Sequence, residues 1–168
     1  MQPTAPSTSN RSPVATGHDG PGVRIPPPVY FILSFLVGWA LQARVPLPWV
    51  GQPIAWSVGG ALLAVGLLIN ATGVATLLRG HGTLSTAAPS AALVTSGPYR
   101  FSRNPLYLGL VFLYSGLAAL FGIVWALPLL IPLVIYTQIA AIVPEERYLE
   151  RAFGDAYRAY KARVRRWI

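Results

Sequence analysis

The chain contains no cysteine, which excludes disulfides, thiolate nucleophiles and cysteine metal sites together. Its two histidines, His18 and His81, fall in a proline- and serine-rich stretch and in a loop, so a histidine-based metal centre is not expected either. Charge is scarce: 11% of the residues are Asp, Glu, Lys or Arg, against 54% apolar residues, a balance outside the range of soluble domains and inside that of membrane proteins. No second segment is apolar enough to build a separate soluble core, so one membrane domain is the expected organisation.

What is present is arranged in blocks. Residues 1–28 are rich in Pro, Ser, Thr and Gly without apolar periodicity and read as a disordered arm. The first apolar run begins only near Val29, which does not fit a cleaved signal peptide. Hydrophobic runs over 29–42, 54–78, 105–121 and 123–143 predict four transmembrane helices in an all-α, polytopic fold, with domain limits of 29–168. Gly122 is the expected turn between the last two spans, and Pro128 and Pro132 predict a kink in the fourth. Gly59, Gly60, Gly66 and Gly73 are expected to permit close helix contact, and Asn70 to serve packing within the second span. Beyond the last span, Leu149, Phe153, Tyr157, Tyr160 and Val164 recur at helical spacing opposite Arg151, Asp155, Arg158 and Lys161. This predicts an amphipathic helical segment over 145–164, divided where Gly154 closes one helix and Asp155 caps the next.

Charge placement orients the spans. With an even number of crossings, every basic residue except Arg44 falls on one side, which the positive-inside rule makes cytoplasmic together with both termini. The formal net charge of +8 is then a topology signal, with attraction to anionic lipid headgroups as its by-product. Nucleic acid is not the expected partner, because the basic residues interleave with an apolar stripe.

Two polar signatures bracket the last membrane hairpin and emerge on the same side: Gly97-Pro98-Tyr99-Arg100-Phe101-Ser102-Arg103-Asn104-Pro105-Leu106-Tyr107-Leu108-Gly109 before it, and Glu145 to Tyr160 after it. A tight hairpin holds them close, which predicts one composite site. Each part has a plain structural reading. Asn104-Pro105 is an ordinary helix start, Asn as cap and Pro at the first position. Pro144-Glu145-Glu146 is another, with acidic residues complementing the helix dipole. Arg100 and Arg103 suit interfacial anchors, the tyrosines suit an aromatic belt, and His81 suits a solvated loop.

The run from Leu93 to Gly109, the Glu145-Glu146 pair, Phe153-Gly154, Tyr157, Tyr160 and the closing Arg165-Arg166-Trp167-Ile168 together resemble the isoprenylcysteine carboxyl methyltransferase and phospholipid methyltransferase superfamily, over about the C-terminal half. The resemblance implies a bacterial inner-membrane enzyme that uses S-adenosyl-L-methionine to methylate a lipophilic small molecule or lipid, with the cofactor pocket built from the pre-hairpin loop and the C-terminal segment. Some relatives carry His where Asn104 stands. On this reading Arg103, Asn104 and Glu146 form the catalytic centre. Tyr99, Arg100, Pro105, Tyr107, Leu108, Gly109, Glu145, Tyr157 and Tyr160 join them in binding the cofactor. Glu145 and Glu146 accept from its ammonium or hydroxyls, Arg100 or Arg103 pairs with its carboxylate, and the helix start at Asn104-Pro105 adds a positive dipole end. The acceptor is a carboxylate, thiol or amine, and no metal is needed. Two other readings stand beside this one: a non-catalytic membrane scaffold whose tail docks a partner, and a nicotinamide-dependent membrane reductase, since sterol reductases share a similar C-terminal architecture.

Overall fold

A computed structural model describes residues 25–80 and 92–168. The expected arm therefore lies almost wholly outside the described residues, as do His18 and His81. The regular structure of the described residues is all helical: α1 (Pro27–Arg44), α2 (Gln52–Arg79), a short 3-10 turn (Gly97–Arg100), α3 (Pro105–Phe121), α4 (Ala126–Thr137), a π-helical turn (Gln138–Ile142) and α5 (Val143–Arg163). The expected first segment proves longer than its apolar core. Pro27 sits at the start of α1, where its fixed φ and missing N–H cost nothing, and the helix runs on to Arg44. Expected span 105–121 coincides with α3, which ends at Gly122 in the left-handed region (φ 64°) as a hairpin turn requires.

The boundary expected between the fourth span and the tail is absent, and this corrects the reading of Pro144-Glu145-Glu146 as a fresh helix start. Residues 123–125 belong to the turn, and from Ala126 the chain runs without a break through the π-helical turn into α5, as far as the bend at Gly154. Pro144 lacks an N–H and its ring crowds the carbonyl four residues back, which would break a regular helix. The π-helical turn lies immediately before α5 and widens the helix where that crowding falls, so the helix passes through. The expected division at Gly154 is present: its backbone (φ 51°, ψ −122°) leaves the helical region and bends α5. Asp155 follows the bend, but its carboxylate accepts from the Arg158 guanidinium at 2.6 Å instead of capping a backbone N–H.

Two of these helices, Gln52–Arg79 and Ala126–Arg163, are long and apolar enough to cross a membrane. Only 11% and 28% of their most apolar windows are buried within the protein, whereas a soluble core helix would be mostly covered. Ile54, Trp56, Leu67, Leu68, Ile131, Ile135 and Ile139 all face outward. A surface this apolar needs lipid around it.

The helices α2 and α3 pack antiparallel along a seam of small residues. A Cβ on Gly59 would stand 2.9 Å from the Gly116 carbonyl oxygen, and one on Gly66 3.0 Å from that of Gly109. The backbones are thus in direct contact at these levels, and the seven-residue spacing of Gly59, Gly66 and Gly73 keeps the seam on one face. Gly60, expected to belong to it, faces open space. Asn70 donates to the Gly66 carbonyl of its own helix at 2.9 Å, so it serves packing as expected. On the other flank, α1 lies against α3 and α4 through Phe31, Tyr114, Ala118, Ile123, Ala126 and Leu133. At the end formed by the α1–α2 connection and the α3–α4 turn, Trp49 donates to Ala119 (3.0 Å) and Trp125 to Val45 (2.8 Å).

Replacing Gly66 by Ala should destabilise the detergent-solubilised protein by about 1–3 kcal/mol through overpacking against backbone. The same change at Gly60 should be neutral or stabilising by up to about 1 kcal/mol, because it only adds helix propensity. Equal midpoints for the two variants in thermal unfolding would contradict the seam.

Candidate functional site

Three pieces of chain converge at the end of the bundle opposite Trp49 and Trp125. The pre-hairpin loop supplies Tyr99 to Asn104, the junction of α4 and α5 supplies Gln138 to Glu146, and the last five residues run back as an extended strap. The strap is held by main-chain groups: the Arg103 N–H donates to the Arg165 carbonyl at 3.0 Å, and the Asn104 side-chain amide donates to the Arg166 carbonyl at 2.9 Å. Asn104 therefore occupies the cap position of α3 without capping it by its side chain, which corrects the plain helix-start reading. Ser102 accepts from the Asn104 N–H at 3.1 Å, so the loop folds tightly on itself.

Glu146 is the hub. Arg166 grips its carboxylate in a fork, Nε to Oε1 at 2.9 Å and Nη2 to Oε2 at 2.7 Å, and Arg103 Nη1 lies 3.0 Å from Oε1. The Arg103 and Glu146 side chains are each only 9% exposed. Two guanidiniums on one buried carboxylate leave a net positive charge, and Arg103 Nε and Nη1 are buried without an aligned hydrogen bond. Unsatisfied charged donors inside a protein are costly. The Tyr157 hydroxyl lies against the Arg103 guanidinium. The Tyr160 hydroxyl donates to the Tyr99 carbonyl at 2.7 Å and ties the second half of α5 to the loop. Burial pushes the Tyr99, Tyr157 and Tyr160 hydroxyls above their usual range, so they stay protonated at neutral pH.

Beside this hub, Glu145 accepts from the Tyr107 hydroxyl at 2.7 Å, and no cation pairs with it among the described residues. It stands just past the apolar stretch that ends at Val143. Burial pushes its carboxyl from 4.5 up to about 7, with the Glu146 charge adding to the rise and the Tyr107 hydrogen bond opposing it. Tyr107, Ala141 and Ile142 form an apolar floor on which Trp167 packs, while the Trp167 indole donates to Gln138 at 3.1 Å.

The expected residues are therefore brought together in large part: Tyr99, Arg103, Asn104, Pro105, Tyr107, Glu145, Glu146, Tyr157 and Tyr160 gather at one end. Arg100 is exposed and makes no ion pair among the described residues, and Leu108 is half-buried within α3. Gly109 faces Asn70 in the α2–α3 seam, away from the hub. Sequence reasoning missed Arg166 as the second grip on Glu146, and Ser102, Gln138 and Trp167 as its frame. Arg166 and Trp167 stood in the closing motif, but their basic and aromatic character read equally as topology charge and interfacial anchor. Among the described residues no cluster of His, Cys, Asp and Glu could hold a metal ion.

A bundle of lipid-facing helices with a buried, ionic, composite site at one end defines an integral membrane protein whose polar chemistry is confined to a single face. A family model described as phospholipid methyltransferase matches residues 54–156, more than half of the chain, and the protein belongs to that family of methyltransferases. Over 27 residues the chain is also 63% identical to an uncharacterized protein of Haemophilus influenzae, a stretch that is 16% of this chain and 43% of that protein, so the match takes in less than half of the relative's length. No solved structure matches the chain.

Replacing Glu146 by Gln should cost about 3–5 kcal/mol of stability, because it strands two guanidiniums, one of them on a side chain only 9% exposed. The paired change Arg103→Met with Glu146→Leu should cost less than Glu146→Gln alone, and unfolding midpoints in detergent check the order. Glu145 makes a separate prediction. A carboxyl whose folded value is raised holds its proton more tightly in the folded state, so it favours folding below 4.5 and loses that advantage as pH rises to about 7. Unfolding midpoints should fall across that window, and Glu145→Gln should flatten the slope.

Proposed function

We propose that this protein transfers a methyl group from S-adenosyl-L-methionine to a lipophilic acceptor at the cytoplasmic face of a bacterial inner membrane. The family supports the reaction class. The observation that supports the cofactor is the buried Arg103 Nε, which has no hydrogen-bond partner, near a half-buried carboxyl, Glu145, that has no cation among the described residues. An anion acceptor and a cation acceptor side by side match the carboxylate and ammonium of an amino-acid head. The residues fit the group.

When bound, the cofactor would supply a methyl group on a sulfonium, the acceptor bonding to that carbon in line as the carbon–sulfur bond breaks and the neutral thioether leaves. The chain's own residues bind, orient and exclude water. Arg103 receives the carboxylate, with Asn104 and the start of α3 behind it, and Glu145 and Glu146 receive the ammonium and the ribose hydroxyls. Tyr107 fixes the Glu145 carboxyl, and Tyr99 and Tyr157 wall the adenine. Tyr160 and the strap through Arg166 hold the lid of the pocket shut, so the reacting atoms meet in a desolvated space. The acceptor arrives from the bilayer side and presents a carboxylate, thiol or amine.

Four membrane crossings with both ends cytoplasmic agree with the charge distribution. Among the described residues Arg44 is the basic side chain at the Trp49 end, while Arg79, Arg100, Arg103 and the α5 cations crowd the other. A scaffold whose tail docks a partner predicts instead that Arg103 and Glu146 variants alter assembly with no effect on any small ligand.

Calorimetric titration of the purified full chain with S-adenosyl-L-methionine, and with NADPH in parallel, tests the proposal. Saturable binding of the sulfonium alone is expected, weakened roughly ten- to a hundredfold by Arg103→Lys, which keeps the charge but loses the fork. Binding of neither ligand by folded protein would favour the scaffold, and binding of NADPH alone the reductase.

A further inference from the structure

Four of the chain's five acidic residues, Glu145, Glu146, Glu150 and Asp155, lie within one stretch of α5, yet the outer face of that helix is basic. The reason is in the pairing. Glu146 is turned inward and taken by Arg103 and Arg166. Glu150 is bridged by Lys161 at 3.1 Å across the Gly154 bend, and Asp155 by Arg158 at 2.6 Å. Arg147 and Arg151, one turn apart on the exposed face, have no carboxylate partner among the described residues. Arg147, Glu150, Arg151 and Arg158 line a shallow, open cleft of about 370 Å³ on this face. Each acidic side chain nearby is already neutralised, so the cleft carries an unbalanced positive charge.

We propose that this cleft is a binding site for the phosphodiester of an acidic phospholipid in the adjacent leaflet, held by Arg147 and Arg151. Depth argues for a lipid. The apolar stretch ends at Val143, and a rise of about 1.5 Å per residue puts Arg147 roughly 6 Å and Arg151 roughly 12 Å beyond it along the helix. Each headgroup layer is roughly 5–8 Å thick, so Arg147 stands in it and Arg151 at its outer edge. Guanidinium forks match phosphate oxygens in pairs, which a diffuse surface charge does not. The cleft is separate from the Arg103–Glu146 hub, and a lipid phosphate seated in it would brace the Gly154 bend from outside. The inference rests on the membrane placement of α4 and is independent of the methyl donor.

The test is native mass spectrometry of the full chain in detergent, titrated with phosphatidylglycerol, phosphatidylcholine and inorganic phosphate in separate arms. Wild-type protein should retain phosphatidylglycerol in preference to phosphatidylcholine. The double change Arg147→Gln with Arg151→Gln should lower the phosphatidylglycerol affinity roughly twenty-five-fold, at roughly five-fold per arginine near an acidic surface, and leave phosphatidylcholine unaffected. Arg44→Gln, at the opposite end, should change neither. Wild-type affinity in the double variant, or equal loss in the Arg44 variant, would overturn the site. Inorganic phosphate binding as tightly as the lipid would overturn the lipid assignment. Unchanged S-adenosyl-L-methionine binding by the double variant serves as the fold check, and its absence in wild type as well would count against the methyltransferase reading alone.

Discussion

One buried carboxylate holds the working end of this protein together. Glu146 is gripped by a guanidinium from the loop before α3 and by another from the strap at the chain's end, so three segments far apart in sequence share a single anionic point. Ion pairs removed from water gain little net stability, because the cost of desolvation offsets much of the attraction. Their effect is to specify geometry: any register of the strap that separates Arg166 from Glu146 leaves charge stranded in a dry site. The surrounding neutral bonds, Asn104 to the strap carbonyl and Tyr160 to the loop carbonyl, are satisfied in the same arrangement.

That hub could not exist if the helix that begins at Ala126 stopped where its apolar stretch stops. Continuity from Ala126 into the first half of α5 makes the position of Glu145 and Glu146 a consequence of helix geometry and not of a loop. The π-helical turn before Pro144 is what permits it, and it sits against Tyr107 and beneath Trp167. A register shift at that point sets which faces of the helix the two glutamates present, one toward Tyr107 and the other toward the arginines. Gly154 then reverses part of the excursion and returns Tyr157 and Tyr160 to the loop.

The apolar segments, the Gly122 turn, the Gly154 division and the amphipathic stripe of the tail were legible because each is a local matter of hydropathy period or of a residue with special backbone freedom. The convergence of the two polar signatures was legible as well, since a short hairpin leaves them nowhere else to be. What was hidden depends on pairing at a distance. Nothing local distinguishes Arg166 from Arg165 or Arg163, although one is a ligand of Glu146 and the others are exposed. The same limit applied to Pro144, which reads as a helix start unless the widened turn before it is known. Gly109 was drawn into the site by its place in a motif, whereas the need it meets is contact with α2.

The small-residue contact between α2 and α3 has a bearing on how a fatty molecule could approach. Those two backbones touch, so no acyl chain can slip between them, and that wall of the bundle is sealed along its length. On the other flank α1 and α4 also meet closely at the Trp125 end, where a Cβ on Gly38 would stand 3.0 Å from the Ala126 backbone, while toward the Glu145 end Tyr30 lies edge-on to Tyr136 at 5.1 Å. A flank closed by glycine contacts along its length and another that carries an aromatic pair give the bundle two unlike sides.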